Sequence, residues 1–147
     1  MKSSHKIIIA GAGGVGRALG LILAEESSEP PQLFIGNRTP AKAEAVAKWI
    51  SEGASRDVPV ESFRLPETGM NDRMIRILKE ADLLLDCLPG SEAPRMADLA
   101  RQYGLHYANL TEHVAATKTI TQLADAADTG FLLQTGLAPG YINVLAN

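Results

Sequence analysis

A glycine-rich segment near the N-terminus has the spacing of a phosphate-binding turn. Residues 11–16 read Gly-Ala-Gly-Gly-Val-Gly and directly follow an apolar run at residues 6–10. In such a turn Gly11 permits a tight bend, Gly13 lets the backbone approach a pyrophosphate, and Gly16 lets a helix pack closely on the strand, while N–H groups at the helix start bind phosphate. The alternative is a glycine-rich turn without a ligand. The predicted dinucleotide-binding residues here are Gly11, Gly13, Gly14, Val15 and Gly16.

A second polar segment follows the next apolar run and bears on the choice of cofactor. An enzyme that uses NAD carries a carboxylate about 20 residues beyond the glycine turn, where it binds the ribose 2′-hydroxyl. Residues 36–40 instead read Gly-Asn-Arg-Thr-Pro. Arg38 could hold a 2′-phosphate through bidentate, charge-assisted hydrogen bonds worth about 1.5–3 kcal/mol. The segment therefore predicts NADP(H) in preference to NAD(H), bound by Asn37, Arg38 and Thr39; the alternative is a solvated Arg38 and a Thr39 that only caps the helix starting at Pro40.

Short apolar runs alternate with helical patterns along the chain. The predicted strands lie at residues 6–10, 32–35, 58–63, 82–88, 106–109 and 131–134. The predicted helices lie at residues 15–25, 40–51, 71–80, 94–103 and 114–127. Alternation of this kind produces parallel βαβ units, and continuous apolar strands are typical of sheets covered on both faces. We predict an α/β fold with a doubly wound parallel sheet of about six strands, the NAD(P)-binding Rossmann fold.

Composition narrows the class of protein. The 147 residues, 46% of them hydrophobic and 21% charged, suit one globular domain, and a net charge of −3 offers no basic field for nucleic acid or an anionic membrane. Cys87 is the only cysteine, which excludes an internal disulfide, and no signal peptide or membrane-spanning run is visible, so we expect a cytoplasmic protein. The three histidines are scattered, and no metal site is expected. Cys87 is expected to line the core or a cleft, and Trp49 to pack against the sheet edge.

Three further segments carry a family resemblance. Residues 86–90 read Asp-Cys-Leu-Pro-Gly, residues 106–112 read His-Tyr-Ala-Asn-Leu-Thr-Glu, and residues 135–143 contain Gly-Leu-Ala-Pro-Gly followed by Tyr-Ile-Asn. Together with the glycine turn, these segments make the chain resemble the saccharopine dehydrogenase family over nearly its whole length. That group includes saccharopine reductases, lysine dehydrogenases and carboxynorspermidine dehydrogenases.

The resemblance implies a reaction and a set of site residues. It implies hydride transfer between nicotinamide and an amino-acid-derived amine or imine, with Leu88 and Pro89 on the nicotinamide-ribose side of a cleft. It also places Tyr107 and Asn109 near the reacting centre as candidate catalytic residues. Many family members carry Asp where this chain has Asn109, and an amide cannot exchange a proton near neutral pH. An acid–base role therefore does not transfer to Asn109.

Two other classes of protein use a similar glycine turn. One is a non-catalytic nucleotide-sensing module that regulates a partner, and the other is a methyltransferase. Both usually place an acidic residue at the end of the second strand, where this chain carries residues 37–39, Asn-Arg-Thr. The oxidoreductase is therefore the preferred interpretation.

The C-terminal segment predicts more protein than the chain contains. A helical pattern begins at Tyr141 and stops at Asn147 without a cap or a breaker. We expect residues 1–147 to be one dinucleotide-binding domain whose C-terminal substrate domain is absent. Alone, the chain is expected to bind cofactor, to turn over an amino-acid-like small molecule poorly or not at all, and to form a homodimer through exposed apolar surface.

Overall fold

Strands and helices alternate through the whole structure, a computed structural model that describes residues 4–136 and 141–146. The strands are β1 Lys6–Ala10, β2 Gln32–Asn37, β3 Val60–Arg64, β4 Leu83–Asp86, β5 His106–Asn109 and β6 Phe131–Leu132. The helices are α1 Gly14–Glu26, α2 Pro40–Gly53, α3 Asp72–Glu80, α4 Ala93–Tyr103, α5 Val114–Asp125 and α6 Ile142–Leu145. The strands form a six-stranded parallel sheet flanked by helices, in the order β3-β2-β1-β4-β5-β6, which is the order of the dinucleotide-binding α/β fold. The predicted fold class is confirmed.

The chain divides into two compact units, and the first comprises residues 1–82. Within it β2 pairs in parallel with β1 on one side and with β3 on the other. Strands β1 and β2 are apolar on both faces because helices cover both sides of a parallel sheet, and Ile9, Leu33 and Ile35 are completely buried. Helix α2 adds Ile50 to this core. The two pairings bring the carboxyl ends of all three strands to one edge.

The C-terminal end of α1 is capped by an arginine of the loop after α2, a contact that was not predicted from the sequence. The guanidinium of Arg56 donates hydrogen bonds to the carbonyl oxygens of Ala24 at 2.8 Å and Glu25 at 2.6 Å, and also to that of Ser27. These are carbonyls that a helix end leaves without partners, so Arg56 does the work of a C-terminal cap.

The second unit comprises residues 83–147. Strand β5 lies between β4 and β6 and is parallel to both, with Asp86 opposite Asn109 and Tyr107 opposite Phe131. Helix α4 ends at Gly104, whose positive φ of 68° is a conformation that glycine adopts without strain. Met96 and Ala100 of α4 are completely buried. This packing fixes the carboxyl ends of β4 and β5.

Several element ends differ from prediction for local reasons. Strand β4 was predicted over residues 82–88 but covers only Leu83–Asp86, because the Asp86 carboxylate accepts a hydrogen bond from the Leu88 N–H and turns the chain. Strand β6 is two residues long instead of four, since the backbone N–H of Gln134 is bonded to the Asn109 side chain. The expectation for Trp49 was wrong: its ring is partly exposed and lies 4.5 Å below the Arg17 guanidinium.

Of the two C-terminal features predicted from the sequence, one lies partly outside the described residues and the other is seen within them. The Gly-Leu-Ala-Pro-Gly segment includes residues 137–140, which lie outside them. The helix predicted from Tyr141 is present as α6 and ends at Leu145. No helix among the described residues has the length and apolar character needed to cross a membrane.

Candidate functional site

The glycine turn after β1 is shaped by two glycines that no other residue could replace without strain. Gly11 has a φ of 115°, and its N–H donates to the Gly36 carbonyl at 2.8 Å, which ties the turn to β2. A Cβ on Gly16 would lie 2.0 Å from the Gly11 carbonyl oxygen. That distance is far below van der Waals contact with backbone that cannot swing away, so Gly16 allows α1 to start close against the strand.

The other two glycines of the turn leave space for a ligand. A Cβ built on Gly13 or on Gly14 meets nothing within 4 Å. Gly13 is the N-cap of α1, and among the described residues no side chain caps the first N–H groups of that helix. Val15, in the first helical turn, is exposed. An open backbone surface with uncapped N–H donors fits the pyrophosphate of a dinucleotide.

The end of β2 presents the three residues predicted to bind a 2′-phosphate. The Asn37 amide donates to the Thr39 carbonyl at 3.3 Å and so stabilises the bend into α2. Thr39 occupies the N-cap position of α2, as the alternative interpretation had it, but its hydroxyl makes no capping hydrogen bond. Arg38 Nη1 pairs with Glu67 Oε1 at 2.9 Å, with the two side chains 74% and 70% exposed. Ion pairs this exposed contribute little to stability and are open to exchange with a ligand.

A cleft of about 440 Å³ opens beside Arg38, and four of its six lining residues were not predicted from the sequence. It is lined by Arg38, Thr39, Arg64, Pro66, Glu67 and Thr68. Arg64 is the last residue of β3 and pairs in register with Asn37. A cation at the end of the third predicted strand was a signal in the sequence, but its proximity to Arg38 depends on the β2–β3 pairing. The cleft combines two guanidinium groups with one carboxylate.

In the second unit the ends of β4 and β5 hold a buried polar cluster, Asp86–Tyr107–Asn109. The three residues are only 3%, 1% and 2% exposed. The Tyr107 hydroxyl donates to Asp86 Oδ2 at 2.8 Å and accepts from Asn109 Nδ2 at 3.2 Å. Asn109 Oδ1 accepts from the N–H of Gln134 at 3.1 Å. No buried side-chain nitrogen or oxygen among the described residues is left without a partner, so this cluster is fully satisfied.

Burial controls the protonation of the cluster. It raises the pKa of Asp86 from 3.8 to about 6, against the opposing effect of the hydrogen bonds from Tyr107 and Leu88. The pKa of the Tyr107 phenol is raised well above its ordinary value by burial and by the neighbouring Asp86. Tyr107 therefore stays protonated and acts as a donor to Asp86. Asp86 was not predicted to be a site residue, although a carboxylate that closes an apolar strand was a visible signal.

The loop after β4 holds the residues that the family resemblance placed near nicotinamide. Leu88 is half-buried and Pro89 is exposed, and the Pro89 carbonyl accepts from the Glu92 N–H at 2.9 Å just before α4. Cys87 is also half-buried, and burial together with Asp86 raises the pKa of its thiol to about 11. A thiol with that pKa is a poor nucleophile at neutral pH.

Within each unit, the fold brings the predicted site residues of that unit close to one another. In the first unit the glycine turn is hydrogen-bonded to β2, the strand whose end carries residues 37–39. In the second unit Tyr107 and Asn109 share a hydrogen bond. Their catalytic roles stay predictions, as do the cofactor contacts of Leu88 and Pro89. Among the described residues no group of three or more His, Cys, Asp or Glu side chains is arranged to hold a metal ion.

The fold and the glycine turn define a dinucleotide-binding α/β domain, and comparison with known protein families assigns the domain to one of them. Residues 7–132 match the family described as the saccharopine dehydrogenase NADP-binding domain. The match covers most of the chain. The chain belongs to this family and is an NADP(H)-binding domain, which confirms both the family resemblance and the cofactor predicted from residues 37–39.

Curated relatives come from another group of dehydrogenases. The chain is 32% identical over 95 residues to the NADP(+) shikimate dehydrogenase of Methanobrevibacter smithii, covering 64% of this chain and 30% of that protein. It is 37% identical over 84 residues to the NADP(+) shikimate dehydrogenase of Methanopyrus kandleri, covering 57% of this chain and 26% of that protein. The chain therefore spans less than a third of the length of these relatives.

Solved structures share the fold at low sequence identity. The apo saccharopine dehydrogenase (L-Glu forming) of Saccharomyces cerevisiae matches 97% of this chain and 30% of its own, with a TM-score of 0.77 and 20% identity. The shikimate dehydrogenase of Mycobacterium tuberculosis matches 90% of this chain and 46% of its own, with a TM-score of 0.69 and 14% identity. These matches show the fold alone.

Proposed function

We propose that this chain is the cofactor-binding part of an NADP(H)-dependent oxidoreductase that acts on a small-molecule amine or imine derived from an amino acid. The observation that carries the proposal is the glycine turn, whose open backbone at Gly13 and close approach at Gly16 fit a dinucleotide in a chain of this family. When bound, the cofactor supplies the hydride donor or acceptor, and the protein supplies binding, orientation and electrostatics.

The roles of the residues follow from what each can contact. The backbone of residues 11–16 binds the pyrophosphate, and Arg38, with Asn37 and Thr39 beside it, binds the 2′-phosphate. Leu88 and Pro89 take the nicotinamide-ribose contacts that the family resemblance implies. The first assignment is supported by uncapped N–H groups at the start of α1. The second is supported by an exposed guanidinium whose partner among the described residues is a similarly exposed carboxylate.

Tyr107 and Asn109 enter this proposal as positioning residues. Both side chains are buried, and their polar atoms are hydrogen-bonded to one another, to Asp86, to the Ala93 carbonyl and to the Gln134 N–H. A phenol with a raised pKa and an amide are unsuited to proton transfer near neutral pH. Their hydrogen bonds instead hold the ends of β4 and β5 and the segment after β6.

The shikimate dehydrogenase relatives favour a second candidate substrate class. If the parent reaction resembles theirs, hydride is exchanged with the carbon of an alcohol or ketone in place of an amine or imine. The cofactor site is common to both candidates. Oxidation of amino-acid-like and of hydroxy-acid-like substrates by the full-length protein, followed as NADPH absorbance, separates them.

The cofactor assignment is tested by titrating the chain with NADPH and with NADH and following nucleotide fluorescence. We expect NADPH to bind at least about tenfold more tightly, since one charge-assisted phosphate contact is worth that factor. Arg38→Ala should remove most of the preference. Arg76→Ala is the matched control, because Arg76 is an exposed arginine of α3 that does not line the cleft. Equal binding of the two nucleotides to the unmodified chain would contradict the assignment.

A further inference from the structure

The cleft beside Arg38 contains a second arginine whose side chain has no assigned role. Arg64 lies at the end of β3, directly across the strand pairing from Asn37. Its guanidinium makes no hydrogen bond or ion pair with any of the described residues, whereas Arg38 is paired with Glu67. A guanidinium left unpaired in a cleft has all five of its donors available to an anion.

The backbone around Arg64 is held on both sides. The Leu65 N–H donates to the Asn37 carbonyl at 2.9 Å, and the Asn71 amide donates to the Arg64 carbonyl at 3.1 Å. Asn71 is itself fixed as the N-cap of α3, where its Oδ1 accepts from the Met74 N–H. These bonds fix the base of the Arg64 side chain beside the end of β2, so that only the side chain has to be ordered when a ligand binds.

Glu67 gives the cleft an internal anion. Its carboxylate lies 2.9 Å from the Arg38 guanidinium, at the distance of a charge-assisted hydrogen bond. With Arg38, Arg64 and Glu67, the cleft lining carries a net charge of +1 (two cations and one anion). A phosphate that binds Arg38 must take over the position of that carboxylate or share the guanidinium with it.

We propose that the 2′-phosphate subsite is a clamp of two arginines, in which Arg64 joins Arg38 and the incoming phosphate displaces Glu67. This inference rests on the proposed cofactor site and adds to it a specificity-determining residue from β3 and a competing carboxylate. Arg64 strengthens the preference for a phosphorylated ribose, and Glu67 weakens it. Glu67 also keeps Arg38 within the cleft in the free protein.

The test uses two small probes that isolate the 2′-phosphate, 2′,5′-ADP and 5′-AMP, with binding measured by calorimetry. Arg64→Ala should weaken 2′,5′-ADP about tenfold, as expected for the loss of one charge-assisted contact, and leave 5′-AMP unchanged. Glu67→Gln should tighten 2′,5′-ADP about threefold or more, because it removes a competing charge at the same guanidinium. Neither effect depends on catalytic activity.

Matched controls separate local contacts from general changes in charge. Arg76→Ala removes the same charge from an exposed site outside the cleft, and Glu52→Gln removes a carboxylate that is paired with Lys48 on α2. Both should leave the affinity ratio of the two probes unchanged. Thermal unfolding of each variant establishes that it is folded before titration.

The outcomes distinguish this inference from the proposed function. If the unmodified chain binds the two probes equally, the 2′-phosphate assignment itself fails. If it prefers 2′,5′-ADP but Arg64→Ala behaves like Arg76→Ala, the clamp is wrong and Arg38 acts alone. If Glu67→Gln weakens 5′-AMP and NADH, Glu67 is a ribose ligand and not a competitor.

Discussion

Polar side chains lie at the carboxyl ends of the strands in both units, but the two sets differ in burial and in hydrogen bonding. In the first unit Arg38 and Arg64 are exposed, and the Arg64 guanidinium has no partner among the described residues. In the second unit Asp86, Tyr107 and Asn109 are buried and saturate one another with hydrogen bonds. A buried polar cluster with every partner in place fixes a structure, whereas exposed charges with few partners are available to a ligand. The two strand ends should therefore respond differently to the loss of a side chain.

The largest expected effect concerns the pH dependence that Asp86 adds to stability. Its pKa rises from 3.8 to about 6 on folding, so its contribution to the free energy of unfolding is fully present below pH 3.8 and is lost as the pH rises through 6. Asp86→Asn removes this dependence. The wild-type chain should lose about 2–3 kcal/mol relative to the variant between pH 4 and pH 7, at about 1.4 kcal/mol per pKa unit.

Urea unfolding of both chains across that pH range makes the measurement. Asp125→Asn is the control, since Asp125 is an exposed aspartate at the end of α5 in the same unit. If the stability of wild type relative to Asp86→Asn stays flat, or increases, as the pH rises from 4 to 7, then folding does not raise the pKa of Asp86, and the contrast between the two strand ends is removed.

A somewhat smaller effect is expected for Tyr107→Phe. The change keeps the ring, whose centroid lies 5.3 Å from that of Phe131, and deletes only the hydroxyl that bridges Asp86 and Asn109. Leaving two buried polar groups short of a partner should lower the free energy of unfolding by about 1–3 kcal/mol. Tyr141→Phe removes a hydroxyl from a residue that is mostly exposed and should change stability by less than about 0.5 kcal/mol.

The readouts of Tyr107→Phe also separate structure from catalysis. A positioning residue lowers stability when its hydroxyl is lost and leaves NADPH affinity within about twofold, because the proposed 2′-phosphate contacts lie on other residues. Unchanged stability combined with abolished turnover in the full-length protein would instead make Tyr107 a catalytic residue, as the family resemblance implied.

The contrast between the strand ends also explains how far the sequence could be interpreted alone. The presence of each strand followed from apolar runs such as residues 7–9 and 83–85, and the function of Gly16 followed from its spacing to Gly11. Arg38 was predicted because it stands where a ribose contact belongs. These inferences depend on neighbours in the sequence, where periodicity and turn chemistry act.

The missed residues depend instead on pairing between distant segments. Arg64 reaches the cleft only through the β2–β3 register, and Glu67 finds Arg38 across 29 positions. Asp86 meets Tyr107 across 21 positions. Trp49 was misplaced for the same reason, because its contact with Arg17 joins two helices. No local pattern encodes such contacts, which are set by how the elements pack.

The smallest expected effect on stability is the one that sharpens the comparison most. Arg38→Ala and Arg64→Ala should each change the free energy of unfolding by less than about 0.5 kcal/mol, since both side chains are exposed and the only ion pair lost is a surface one. Arg56→Ala is the matched contrast within the same unit. Its guanidinium donates to carbonyls at the end of α1, so its loss should lower stability by about 1–2 kcal/mol. If Arg38→Ala or Arg64→Ala lowers the free energy of unfolding as much as Arg56→Ala does, these arginines stabilise the fold, and the inference that they are available to a phosphate is wrong. If only Arg56→Ala lowers stability, while Arg38→Ala and Arg64→Ala change only the preference for the 2′-phosphate, then the same unit contains structural and ligand-binding arginines. The number of backbone carbonyls that each guanidinium contacts then distinguishes the two kinds.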